Sequence, residues 1–127
     1  MSTSDPQPRR ILIAGANGYI GSRLAERLLT RGHAVTAFVR GSARRVPAGC
    51  SVVSGDALDE SCYTAAARGA DTLVHLIGVA HPSPSKAALF ETVDLASARS
   101  AARAAMAAGI GHKNRHIDWG CWESIRC

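Results

Sequence analysis

The feature that most limits how this chain can fold is the run Arg10-Ile11-Leu12-Ile13-Ala14-Gly15-Ala16-Asn17-Gly18-Tyr19-Ile20-Gly21. Its apolar head, Ile11 to Ala14, suits a short strand buried on both faces of a parallel sheet. Beyond the glycines, Ile20, Leu24 and Leu28 recur at i, i+4 and i+8, with Arg23, Glu26, Arg27 and Arg31 on the other faces. That is an amphipathic helix, and Gly32 stands where a C-terminal cap belongs. The intervening glycines each serve a physical need. Gly15 allows a sharp exit from the strand, Gly18 leaves the backbone open to a close pyrophosphate, and Gly21 permits tight helix packing on the sheet. The helix N-terminus adds unsatisfied N–H groups and a positive dipole end to the same spot. A glycine triplet alone says little; set between a buried strand and an amphipathic helix, it predicts dinucleotide binding.

The rest of the chain continues the alternation. His33 to Val39 reads as a second strand, and Gly41 to Gly49 as a loop rich in Arg, Pro and Gly. Ser51 to Ser54 reads as a third strand ending at Gly55-Asp56, and Asp59 is placed to cap a short helix closed by Gly69. Thr72 to Gly78 reads as a fourth strand, followed by a Pro/Ser loop and an alanine-rich helix from Lys86 to Ala108 with Gly109 as its stop. Strands alternating with helices imply right-handed crossovers and a parallel sheet covered on both faces. The fold class predicted is α/β, a Rossmann-type doubly wound parallel sheet of about four strands in the order 3-2-1-4, and incomplete. Residues 1–9 read as a flexible lead, 10–111 as the domain, and 112–127 as an atypical, unstructured tail.

After Gly111 the character changes: both tryptophans and two of the four cysteines fall in the last nine residues, with neither a strand nor a helix period. A doubly wound sheet would place a fifth, apolar strand there, and the sequence reads as lacking it. The fourth strand is therefore predicted to be an open apolar edge, inviting self-association, low stability or dependence on a partner. A tail of unrelated origin, read in a shifted frame, would account for the change; an alternative frame continuing an apolar strand would support that origin. His112 and His116 with Cys121 and Cys127 carry the side-chain types of a zinc site, but without a paired C-x-x-C no metal site is assigned.

Bulk properties narrow the partners. The longest apolar run, Leu73 to Ala80, is far below the ~20 residues of a membrane span, and Met1 to Arg10 lacks the apolar core of a secretion signal. Scattered cysteines without a disulfide framework fit a reducing compartment, so a cytoplasmic protein is expected. The net charge of +5 comes from arginines scattered singly, with few aromatics to stack on bases, which argues for a small polyanionic ligand over nucleic acid.

Arg40 sits at the tip of the second strand, 19 residues after Gly21. An acidic residue there would bind the ribose hydroxyls of NAD; a basic one suits the 2′-phosphate of NADP, with Ser42, Arg44 and Arg45 close enough to assist. NADP(H) is the expected cofactor, with NAD(H) as the other candidate.

Taken in order, the glycine turn, Arg40, Gly55-Asp56-Ala57-Leu58-Asp59 after the third strand and His75-Leu76-Ile77-Gly78 ending the fourth resemble the short-chain dehydrogenase/reductase superfamily. The similarity is to its extended and atypical branch, which includes NAD(P)-dependent epimerases/dehydratases and NmrA-like proteins, and it covers Arg10 to Gly111. The resemblance implies that Asp56, with Ala57, lies beside the adenine and that Leu76, Ile77 and Gly78 line the inner ribose. Asn17, Tyr19 and Ile20 enter the candidate set with the glycine turn. Where the family often carries Val-Asn, this chain has Val93-Asp94.

The family's tyrosine acid/base with a lysine four residues on is missing. Tyr19 and Tyr63 are followed at that spacing by Arg23 and Ala67, so no catalytic residue is named. His81 reads as a solvent-exposed loop residue, and Cys50 and Cys62 as structural. Two functions remain open at this point: the cofactor half of an NADP(H)-dependent oxidoreductase or epimerase-like enzyme, or a non-catalytic dinucleotide-sensing module of NmrA-like type.

Overall fold

A computed structural model of the chain describes residues 8–41, 43–77, 85, 90–110 and 117–119. Its centre is strand β1 (Arg10–Ala14), which pairs in parallel with β2 (Ala34–Val39) on one side and β4 (Thr72–His75) on the other. Strand β3 (Ser51–Ser54) adds to β2, with Thr36 opposite Ser51 and Val39 opposite Ser54. The sheet is all parallel and runs β3-β2-β1-β4-β5. The expected order 3-2-1-4 is thus present in a doubly wound, Rossmann-type α/β sheet.

The apolar strand heads fill both faces, as a period of two requires. Leu12 and Ala14 point to one side, into a core with Phe38, Tyr63, Ala67 and Leu73; Ile11 and Ile13 point to the other, with Ala25, Val35, Ala37 and Val74. Helix α1 (Tyr19–Thr30) covers the second face through Gly21, Leu24, Ala25, Leu28 and Leu29. Ile20, read as part of the apolar stripe, is instead 63% exposed in the first turn of α1. At its far end the N–H of Gly32 bonds the carbonyl of Leu29 and that of His33 bonds Leu28, the paired closure of a Schellman cap.

The opposite face is covered by α2 (Glu60–Ala67) and α3 (Ala96–Ala107). Asp59 caps α2 as expected, its Oδ1 accepting from Ser61 N at 2.9 Å and Ser61 Oγ at 2.6 Å. Helix α3 buries Ala98, Ala101, Ala104 and Ala105, small side chains that let the helix lie close to its neighbours. Polar contacts fix its register: Ser100 Oγ donates to the Leu58 carbonyl at 3.4 Å, and Arg103 pairs with Glu60 at 3.5 Å.

Three expectations need correction. The alanine-rich helix does not begin as a regular α-helix: Phe90–Leu95 is a π-helical turn leading into α3, and residues 86–89 lie outside the described part of the chain. β4 stops at His75, so Leu76 and Ile77 follow the strand and do not extend it. Finally, a fifth strand exists. β5 (Ile117–Trp119) pairs with β4, Leu73 opposite Ile117 and His75 opposite Trp119, so β4 is not the bare edge that was expected and the tail is not wholly unstructured. Three residues with Asp118 at their centre are too few to show a strand period, which is why the element was not legible.

Candidate functional site

The loops at the carboxyl ends of β1, β2, β3 and β4 meet over a cleft of about 260 Å³, where the chain order reverses across the sheet. Its wall contains Gly15, Asn17 and Gly18 from the first turn and Arg40 from the end of β2. Asp56, Ala57, Leu76 and Ile77 complete the predicted residues gathered there.

The glycine turn explains the shape of this cleft. Gly15 has φ +87°, in the region that favours glycine, and a Cβ there would sit 3.0 Å from the backbone carbonyl of Leu76. Its N–H bonds the Phe38 carbonyl at 3.2 Å, tying the turn to β2. Gly21 is buried, and a Cβ on it would lie 2.2 Å from the Gly15 carbonyl oxygen and 2.8 Å from Ala16 Cα. It therefore sets how closely α1 approaches the turn. Gly18 serves as the N-cap of α1 without a side-chain cap, leaving the first N–H groups of the helix to an external acceptor. A glycine cradle with an uncapped, electropositive helix end fits a pyrophosphate.

Not all the predicted residues face the cleft. Tyr19 and Ile20 are exposed on the first turn of α1, and Tyr19 stacks under the Arg23 guanidinium at 4.5 Å. Gly21 is not in the cleft wall and packs α1 against the turn. Gly78, Ser42 and His81 lie outside the described residues, as do His112, His116, Cys121 and Cys127.

Asp56 is oriented by its own turn: its Oδ1 accepts from Leu58 N at 2.9 Å, and its carbonyl accepts from Asp59 N. Arg40 is exposed at the rim. Asp59, one turn away, has its carboxyl held below the usual range first by the Ser61 hydroxyl and then by N–H groups of its own cap.

Sequence reasoning missed several wall residues. Phe38, Val39, Leu58, Val93 and Ser97 also line the cleft. Phe38 was legible only as a strand residue; its ring lies under Gly55, where a Cβ would come within 2.7 Å of it. Ser97 belongs to a buried polar chain that no local pattern announces. His75, 3% exposed, bonds the Tyr63 hydroxyl through Nδ1 at 2.8 Å and Ser97 Oγ through Nε2 at 3.3 Å. Burial holds the imidazole neutral, lowering its pKa to about 4, and pushes the Tyr63 phenol upward.

A parallel doubly wound sheet with a glycine cradle, an uncapped helix end and a cleft at the strand-order switch defines a Rossmann-type dinucleotide-binding domain. The family model for NAD(P)H-binding domains matches residues 15–117, and the chain belongs to that family. Among its relatives, it is 44% identical over 68 residues to a 3-diazoavenalumate denitrifying reductase from a Streptomyces species, covering 52% of this chain and 22% of that protein. It is 32% identical over 116 residues to a fatty acid hydroxylase from Mycosarcoma maydis, covering 85% of this chain and 37% of that protein. A short-chain dehydrogenase/reductase superfamily protein from Agrobacterium tumefaciens, solved with bound NAD, superposes with a TM-score of 0.67 at 26% identity over 80% of this chain and 30% of its own. The chain thus has the fold of that superfamily and binds a nicotinamide dinucleotide, while spanning well under half the length of these relatives. No helix among the described residues is long and apolar enough to cross a membrane.

Proposed function

We propose that this chain is the dinucleotide-binding half of an NADP(H)-dependent oxidoreductase or epimerase-like enzyme. The observation that carries the cofactor preference is the placement of Arg40 on the same cleft as the glycine turn. In this reading the pyrophosphate rests against Gly15, Asn17 and Gly18 and the N–H groups of Tyr19, Ile20 and Gly21. The 2′-phosphate meets Arg40, with Arg44 and Arg45 in the following loop supplying further positive charge. The adenine lies beside Asp56 and Ala57, and the inner ribose beside Leu76, Ile77 and Gly78. When bound, the nicotinamide would carry hydride; the residues of this chain hold and orient it.

None of these residues is assigned the acid/base step. Tyr63 is fully buried in the core against Phe38, and Tyr19 sits on the outer turn of α1. The isolated chain is therefore expected to bind without turnover. Parallel fluorescence titrations with NADPH and NADH test the reading: NADPH binds more tightly, and Arg40→Asp weakens NADPH about 10- to 100-fold, the loss of a charge-assisted contact of about 1.5–3 kcal/mol. Equal affinities that Arg40→Asp leaves unchanged would refute the NADP(H) preference.

A further inference from the structure

Helix α3 meets its neighbours largely through alanine, and such a face fixes neither the rotation nor the axial position of a helix by shape alone. Polar residues spaced three apart tie it down: Ser97 reaches His75 on β4 and Ser100 reaches the Leu58 carbonyl from the buried face, while exposed Arg103 reaches Glu60 on α2. Two of these staples end on the cleft, because Ser97 and Leu58 are both in its wall. The π-helical turn that brings Val93 into the same wall runs directly into α3, so the position of Val93 depends on where α3 is held.

We propose that the buried chain Tyr63–His75–Ser97 is a positioning device that locks α3, and with it Val93 and Ser97, against the adenine end of the dinucleotide cleft. Tyr63 has 0% exposure and lies outside the cleft wall, so it acts only through the residues it holds, whereas Ser97, equally buried, is both a wall residue and the end of the chain. The direction of the chain follows from acid–base character. The phenol, the better acid, donates to Nδ1, leaving the imidazole proton on Nε2 to be donated to Ser97 Oγ. Burial keeps the imidazole neutral, which this single-proton relay requires. Tyr63 is itself fixed by an edge contact with Phe38, whose ring centroid is 4.9 Å away and which also lines the cleft. Elements α2, β2, β4 and α3 are thereby joined at one wall.

The inference rests on the proposed nucleotide site, and its test separates the two. Tyr63→Phe keeps the ring and removes the hydroxyl from a residue outside the cleft wall. Ser97→Ala removes the other end. Each is titrated with NADPH, with 2′,5′-ADP for the adenine end, and with reduced nicotinamide mononucleotide for the other end. Both variants should melt cooperatively and bind NADPH and 2′,5′-ADP about three- to ten-fold more weakly, the order expected for one lost hydrogen bond, while the mononucleotide is unaffected. The His75 ring ¹⁵N resonances should report the Nε2–H form in the wild type and move when 2′,5′-ADP is added. Variants that fold and bind 2′,5′-ADP like the wild type, or His75 resonances that do not move, overturn the positioning role and leave the nucleotide site intact. A wild-type chain that binds neither NADPH nor 2′,5′-ADP overturns both.

Discussion

Alanine at Gly21 and alanine at Gly18 should separate the two roles of the glycine turn. At Gly21 the added methyl would lie 2.2 Å from the Gly15 carbonyl oxygen, 2.8 Å from Ala16 Cα and 3.0 Å from Gly15 C, all backbone atoms. No side chain can swing aside, so α1 must move off the turn. Overpacking of this kind costs about 3 kcal/mol, the upper end of its range, offset by about 1 kcal/mol of helix propensity gained over glycine. The net loss, about 2 kcal/mol, lowers the melting temperature by roughly 6–12 °C for a domain of this size. Because Gly15 carries the strained turn, dinucleotide affinity falls with it. At Gly18, by contrast, the only close atom among the described residues is the Gly15 carbonyl oxygen at 3.3 Å, and the backbone has an ordinary φ of −82°. Gly18→Ala should melt within about 3 °C of the wild type, a change of under about 1 kcal/mol, yet bind dinucleotide at least about ten-fold more weakly, because the methyl occupies the pyrophosphate's approach. Thermal melts followed by circular dichroism, paired with NADPH titrations, read both quantities. A Gly21→Ala variant that melts and binds like the wild type would refute the packing argument, and a Gly18→Ala variant with full affinity would refute the placement of the pyrophosphate.

Two further outcomes concern stability. His75 has a folded-state pKa near 4, below its ordinary value of 6.5, so the unfolded chain takes up the proton first as the pH falls. Its contribution is complete above pH 6.5 and is lost on acidification toward pH 4, about 3 kcal/mol in all. Urea denaturation at pH 7, 6, 5 and 4 should show this fall, and His75→Gln should flatten it; an unchanged midpoint across that range would contradict the burial of a neutral imidazole. Asp59→Ala removes the acceptor for the Ser61 and Cys62 N–H groups and should cost about 1 kcal/mol, a typical N-cap loss, read as a drop in urea midpoint without a change in slope.

What could be read from the sequence was what short-range chemistry dictates. β1 was legible because Ile11 to Ala14 is buried on both faces and carries no polar interruption, and α2 because Asp59 caps its start and Gly69 follows its end. The glycine turn and Arg40 were legible because adjacent elements bring them together. The wall formed by Phe38, Val93 and Ser97 was not, since it joins β2 to a π-helical turn and α3 more than fifty residues further along the chain. Tyr63 and Ser97 stand 12 and 22 residues from His75, and only the packing of α2 and α3 on one face of the sheet makes them neighbours. Ile20 misled for the converse reason: its spacing fits the apolar stripe, but it stands in the first turn of α1, where it is exposed.

The most direct test of the central claim is a map of backbone amide resonances during titration of the ¹⁵N-labelled chain with NADPH. The account predicts saturable shifts at Gly15, Asn17, Gly18, Tyr19, Ile20, Gly21, Arg40, Asp56, Ala57 and Ile77, with Arg40 moving less under NADH. Shifts centred away from the glycine turn, or none up to millimolar NADPH, would contradict it.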